Sequence, residues 1–172
     1  MNSKGAFKKC RDDNFAICSL EAEKGWVGVE PEYYSYGLFQ YVVKGSVKFG
    51  VPFKKEYDIL KEKDFYCTKD KLYDAFIMEA IEDFHIIGFN TLDKEQDWDG
   101  CIVTGELIRV SKESILICLD GNPTVENQEL SVFDYGVLKP YEDYNVDVTD
   151  GVLAIFTTVS YTHLTLPTTP YV

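Results

Sequence analysis

Between positions 30 and 36 the chain reads Glu30-Pro31-Glu32-Tyr33-Tyr34-Ser35-Tyr36, which gathers carboxylates and phenols in one short run. Carboxylates accept hydrogen bonds and phenol rings offer an apolar face with a polar tip. The cluster therefore has the groups that hold a sugar or an amine by stacking and hydrogen bonding. The same groups can move a proton, with Glu32 or Tyr34 as the acid or base. The run can equally be an exposed turn whose Tyr rings cover the mouth of a barrel. His85 stands in Phe84-His85-Ile86-Ile87, where a period of two puts it on the face opposite Phe84 and Ile86. There it is a surface or inter-strand imidazole satisfied by its neighbours, or a catalytic base. Glu30, Glu32, Tyr34, Tyr36 and His85 are thus the candidate ligand-binding residues. No nucleophile elbow, phosphate loop, Cys-x-x-Cys pair or dinucleotide fingerprint occurs in the chain.

The elements that must position these residues are strands. Short runs rich in Val, Ile, Tyr and Phe are cut by Gly, Asp, Asn and Pro at intervals of about eight to twelve residues, and helical periodicity is nearly absent. The pattern predicts strands over 15–21, 25–29, 38–43, 46–49, 57–60, 75–80, 84–90, 101–110, 114–119, 124–125, 130–138, 144–148 and 152–157. Lys44-Gly45-Ser46 and Asp120-Gly121-Asn122 supply the positive φ that tight hairpins need. Residues 69–72 read as a short helical turn and 93–99 as a polar linker.

Two stretches repeat one another. Leu38-Phe39-Gln40-Tyr41-Val42-Val43-Lys44-Gly45 is matched by Ser114-Ile115-Leu116-Ile117-Cys118-Leu119-Asp120-Gly121, an apolar strand closed by glycine. Tyr57-Asp58-Ile59-Leu60-Lys61 is set against Tyr135-Gly136-Val137-Leu138-Lys139, and an acidic turn then leads each stretch into a last apolar strand. Self-similarity of this kind points to a duplicated unit, with residues 1–92 forming the first and 93–158 the second. Residues 159–172 (VSYTHLTLPTTPYV) carry no Asp, Glu, Lys or Arg and differ sharply from what precedes them. The run also matches the translated read-through of a common transposase-based sequencing adapter. It is therefore set aside as non-native and His163 with it; a genuine Thr/Pro-rich tail is the alternative.

Composition excludes several classes. Hydrophobic residues make up 45% of the chain and aromatic residues 15%, which is globular composition. The net charge of −12 is spread along the chain and argues against binding a nucleic acid backbone, which needs clustered Lys and Arg. No run of about eighteen apolar residues is available to cross a bilayer, and no apolar segment follows the first residues to act as a secretion signal, so a cytoplasmic location is expected. Cys10, Cys18, Cys67, Cys101 and Cys118 are odd in number and scattered, which favours reduced thiols, buried in the case of Cys18, Cys101 and Cys118, over a disulfide framework.

Phe39-Gln40-Tyr41-Val42-Val43-Lys44-Gly45-Ser46-Val47 followed by Leu60-Lys61-Glu62-Lys63-Asp64 resembles the strand-Gly-strand and Leu-x-x-Gly-Asp arrangement of the cupin superfamily. Ile117-Cys118-Leu119-Asp120-Gly121 with Leu138-Lys139-Pro140-Tyr141-Glu142 resembles a second instance. The resemblance implies an all-β fold of two cupin-like jelly-roll units in a compact double-stranded β-helix, or bicupin, arrangement, with Glu30 to Tyr36 on the pocket-lining strand. A metal-dependent cupin holds its ion with His and Glu side chains. In the first unit the His positions fall on Glu32 and Tyr34 or on Pro31 and Tyr33, and the Glu position on Leu38. In the second they fall on Leu107 and Arg109 or Ile108 and Val110, and on Ser114; the remaining His position falls on Cys67 and Asn145 respectively. A set drawn from Glu30, Glu32, Tyr34 and Cys67 is the alternative to having no metal. The expectation is a metal-free binding or assembly module without a cofactor, for a small polar ligand such as a sugar, with homo-oligomerisation as a further option. The alternative is a cupin-fold isomerase or lyase that uses Glu32, Tyr34 or His85 for acid-base chemistry, as metal-free sugar epimerases of related fold do.

Overall fold

The computed structural model describes residues 6–11, 15–31, 39–50, 57–67, 75–91 and 97–159. The first half contributes β1 (Ala6–Arg11), β2 (Phe15–Ala22), β3 (Val27–Pro31), β4 (Phe39–Lys44), β5 (Ser46–Gly50), β6 (Tyr57–Lys61), β7 (Phe65–Cys67), β8 (Ala75–Ala80) and β9 (Phe84–Thr91). The second contributes β10 (Asp97–Ile102), β11 (Leu107–Arg109), β12 (Ser114–Gly121), β13 (Thr124–Val125), β14 (Gln128–Glu129), β15 (Tyr135–Leu138), β16 (Asp143–Asp147) and β17 (Gly151–Val159). Every pairing between them is antiparallel.

The pairings form two copies of one jelly roll. In the first half the order β2-β9-β4-β7 lies across a core from β3-β8-β5-β6, and in the second β10-β17-β12-β15 lies across a core from β11-β16-β13-β14. Strand for strand, the second order is the first with eight added, and β1 widens the first sheet at its β2 edge. The duplication extends to irregularities. Both halves carry a register shift at the same place, between Val42 and Lys44 and between Cys118 and Asp120. Both follow it with a glycine at positive φ, Gly45 at 77° and Gly121 at 65°. A Cβ at either would lie 2.0 Å from a backbone carbonyl oxygen, that of Asp83 or Asp150. Only glycine fits there, both for its φ and for its lack of a side chain.

The second part of the repeat falls elsewhere than the sequence pattern suggests. Tyr57–Lys61 pairs with β5, whereas Tyr135–Leu138 pairs with β12 and corresponds to β7. The counterpart of Leu60-Lys61-Glu62-Lys63-Asp64 is Leu130-Ser131-Val132-Phe133-Asp134. In each turn an aspartate caps the backbone: Lys61 N–H donates to Asp64 Oδ2 at 2.7 Å and Ser131 N–H to Asp134 Oδ2 at 2.8 Å. Lys63 (φ 72°) and Phe133 (φ 76°) hold the left-handed position between them, where the resemblance has glycine. A capped turn needs the aspartate and the φ, and neither shows in an apolar pattern, so the spurious Tyr-x-x-Leu-Lys match prevailed.

Other expected elements shift for similar reasons. The strand expected over 101–110 is two, because the chain leaves the sheet containing β17 after Ile102 and joins β16 at Leu107. The strand expected over 130–138 begins at Tyr135, after the capped turn. The 93–99 segment is already strand from Asp97, and Val159 pairs with Asp97, so β17 runs past the expected end of the second unit. The turn expected at 69–72 lies outside the described residues.

The two jelly rolls join face to face. Phe15, Ile17, Phe39, Tyr41, Ile87 and Phe89 of the first pack against Trp98, Ile117, Leu119, Ala154 and Phe156 of the second. Phe89 and Phe156, which occupy corresponding positions in the repeat, stack with centroids 4.0 Å apart and planes within 4°. Alternation then dictates the rest: residues between these on β2, β4 and β9 face the interior of the first barrel, and those on β12 and β17 the interior of the second.

Candidate functional site in the N-terminal barrel

The first barrel changes character along its axis. One end is apolar: Ala22, Val42, Val47, Leu60, Ala80 and Phe84 are buried there. Trp26 packs against this group, and a Cβ at Gly28 would meet its indole at 2.0 Å, so the glycine makes room for the ring. Towards the other end the interior positions become polar. Cys18 on β2, Gln40 on β4 and Asn90 on β9 share one face, with Gly88 between Gln40 and Cys18 in register. Gln40 and Asn90 are each 3% exposed. The Asn90 Nδ2 donates to Cys18 Sγ at 3.5 Å, while Gln40 Oε1 and Asn90 Oδ1 have no hydrogen-bond partner. Across the interior, Tyr66 OH donates to Asp58 Oδ2 at 2.5 Å, and Tyr66 packs edge-on against Phe49 with centroids 5.6 Å apart. Asp58 is the register partner of Phe49 and Tyr66 that of Gln40.

The same positions in the second barrel are apolar or satisfied. Leu116 opposite Ile155 stands where Gln40 faces Gly88. Thr157 stands where Asn90 does, and its Oγ1 is 2.7 Å from Ser114 Oγ, which also donates to the Lys112 carbonyl at 2.9 Å. Val103, Ile108, Leu116, Cys118, Leu138, Val146 and Leu153 fill this interior. Burial among them pushes the Cys118 thiol up to about 11.

Solved structures place this architecture. Similar chains include HutD from Pseudomonas fluorescens SBW25 (12% identity, TM-score 0.62, covering 90% of this chain and 88% of that one). A cupin 2 conserved barrel domain protein from Leptotrichia buccalis matches at 10% identity and TM-score 0.53, over 91% and 89% of the two chains. A deletion variant of Bacillus subtilis oxalate decarboxylase matches at 9% identity and TM-score 0.61, over 94% and 76%. The chain has the bicupin fold. No family model matches the sequence, and no curated protein does.

Among bicupins a metal centre is the first thing to test, and the second barrel does not fit one. Ile108 and Val110 pack with its core, Leu107 and Arg109 are exposed, and Ser114 is engaged by Thr157 and Lys112. None of these supplies an imidazole or carboxylate directed inward. Among the described residues no group of three or more His, Cys, Asp or Glu side chains converges.

The structure separates the sequence-derived candidates. Glu30 lies on β3, its backbone paired with Phe76. Glu32, Tyr34 and Tyr36 lie outside the described residues. His85 is half-buried on β9 opposite Glu21, on the sheet face turned away from the barrel interior, as alternation requires. Its Nε2 is 2.7 Å from Ser19 Oγ and its Nδ1 3.8 Å from Glu21 Oε1, so the ring ties β9 to β2. With Glu21, Glu23, Lys44 and Asp83 it lines an open surface groove of about 400 Å³. Acid-base chemistry inside the barrel would therefore proceed without it. Of the cysteines expected to be buried, Cys18 and Cys118 are, whereas Cys101 is exposed on β10, an edge strand.

Sequence reasoning missed Gln40, Asn90, Asp58 and Tyr66. The signal for Gln40 was present: an amide inside Phe39-Gln40-Tyr41-Val42-Val43, where the repeat has Leu116, is the buried polar residue that alternation sends inward.

Proposed function

We propose that this chain is a binding module in which the N-terminal barrel holds a small polar ligand at its Gln40–Asn90 end, without a metal, while the C-terminal barrel is structural. One observation carries the reading: two buried amide oxygens lack partners in one barrel, and the corresponding positions of the other are apolar or paired. A buried polar atom without a partner costs about 1–3 kcal/mol. A ligand that bonds to both oxygens removes that cost, which explains why a fold able to carry Leu116 in one half carries Gln40 in the other.

Amide-resolved NMR tests the proposal. Titration with a panel of small polar compounds should move the resonances of β2, β4 and β9 around Cys18, Gln40 and Asn90 and leave those of β12 and β17 in place. Shifts confined to the second barrel, or none for any compound, would overturn it. So would retention of about one equivalent of a transition metal by the dialysed protein.

A further inference from the structure

The sheet β3-β8-β5-β6 turns Val47, Phe49, Leu60, Met78 and Ala80 into the first barrel, so alternation sends the residues between them outward. Cross-strand register arranges that outer face in rows. One row runs Val27, Glu79, Lys48, Ile59, one residue from each strand. The next runs from Ile77 through Gly50 to Tyr57. Among the described residues, every exposed large hydrophobic of the first half lies on this face: Val27 and Ile59 are each 57% exposed and Tyr57 42%. Between Val27 and Ile59, Lys48 Nζ meets Glu79 Oε2 at 3.5 Å and sits 4.2 Å from the centre of the Tyr57 ring.

The equivalent face of the second barrel is different. There β11-β16-β13-β14 sets Leu107 beside Asn145, Arg109 beside Asp143, and Thr124 between Asp147 and Glu129. Leu107 is its one exposed large hydrophobic among the described residues. The duplicated fold therefore does not require an apolar outer face, and an exposed apolar face marks a contact surface.

The order apolar, acid, base, apolar is complementary to its own reverse. Turning a second copy by 180° about an axis that runs along the strands, midway between two facing sheets, reverses the row and keeps the strand directions aligned, as in packed sheets. Glu79 then faces Lys48 of the second copy, Lys48 faces Glu79 of the second copy, and Val27 and Ile59 meet across the contact. In the next row Gly50, which has no side chain, falls opposite Ile77 of the second copy. An axis across the strands would instead set Lys48 on Lys48 and Glu79 on Glu79. We propose that this face is a self-complementary docking surface for a second copy of the chain, with Lys48 and Glu79 fixing the register across the two-fold axis. Four strands of about five residues span about 19 by 17 Å, well below the roughly 800 Å² per partner of a standard interface. Each copy also carries a net charge of −12, which repels the other. The dimer is therefore a transient one, with a dissociation constant on the order of 100 μM. It stands apart from the ligand proposed for the barrel interior.

Sedimentation velocity on the full chain, from about 10 μM to about 1 mM, tests the proposal through a weight-average mass that rises towards twice that of the monomer. Ile59→Lys, Lys48→Glu and Glu79→Lys should each weaken association about tenfold or more. An equimolar mixture of the Lys48→Glu and Glu79→Lys chains should restore it, because each chain then meets the opposite charge at both positions. Within one chain the exposed Lys48–Glu79 pair contributes little, so each variant should melt close to the parent by circular dichroism, which separates lost docking from lost structure. A chain that stays monomeric at the highest concentration would overturn the proposal. So would a dimer that Ile59→Lys leaves unchanged, since it would use another surface. Failure of the mixture to associate would overturn the pairing of Lys48 with Glu79 across the axis.

Discussion

Where β4 sets Gln40 against Gly88, β12 sets Leu116 against Ile155, and where β9 carries Asn90, β17 carries Thr157 already bonded to Ser114. The two barrels share strand order, bulge, glycine and capped turn, so backbone alone does not account for these differences. The same backbone closes around leucine in one half and glutamine in the other. What the difference teaches is where the two interiors diverge: the second is apolar or internally paired, whereas the first holds buried amide oxygens without partners, which stability alone disfavours.

The largest effect breaks what the barrels share. Phe156→Ala removes a ring that stacks on Phe89 and touches Phe39 and Phe65 in the core between the two halves. It should cost about 3–5 kcal/mol, read as a lowered urea midpoint by both fluorescence and circular dichroism. If the two probes separate, the halves unfold independently and the shared core is not what couples them.

Exchanging the interiors sharpens the comparison. Leu116→Gln, which puts the polar residue into the barrel that has no partner for it, should destabilise by about 2–4 kcal/mol through lost burial and an unsatisfied amide. The reciprocal Gln40→Leu should be neutral or stabilising by up to about 1 kcal/mol in denaturant titration. Equal losses in both would mean that Gln40 is structural.

A smaller, symmetric effect tests the duplication itself. Gly45→Ala and Gly121→Ala each force a Cβ onto a carbonyl at positive φ and should each cost about 1–3 kcal/mol in thermal melts. A marked inequality would show that one turn relaxes and the other does not.

A further effect is a dependence on pH. In the folded chain, burial raises the Cys118 thiol from 9.0 to about 11, whereas the unfolded thiol keeps its ordinary value. Below pH 9 both states hold the proton and the contribution is fully present. As pH rises towards 11 the unfolded state alone becomes thiolate, and stability is lost. Cys118→Val installs the residue of the sister barrel, Val42, and should flatten the fall in urea midpoint between pH 9 and 11. An unchanged slope would place its origin elsewhere.

Much of the fold was legible in the sequence because its cues are local. Gly45 and Gly121 end apolar strands in both halves, and the structure places both at positive φ beside a bulge. Alternation put His85 on the face away from Phe84 and Ile86, where it meets Ser19 and Glu21. The short strands β7 and β14 and the true counterpart of Leu60–Asp64 were not legible. β7 is defined by pairing with the distant β4, whereas β14 is two residues paired with the adjacent β13 and the capped turns rest on one aspartate and one positive φ, none of which an apolar pattern shows. Of the candidate site, Glu30 lies on β3 and His85 on the outer face of β9, whereas the polar interior pair was not marked although Gln40 lay in plain view within an apolar run.

The order of apolar and polar residues by itself determined that this chain is all-β and duplicated, because a period of two and a glycine at each tight turn express steric rules that act within a few residues. Only the tertiary structure decided which residues share an interior. Gln40 and Asn90 lie 50 positions apart and meet on one face because β4 and β9 pair in a particular register. Shifting that register by one residue would exchange the barrel interior with the core between the halves, and such long-range pairing is settled by packing the whole sheet.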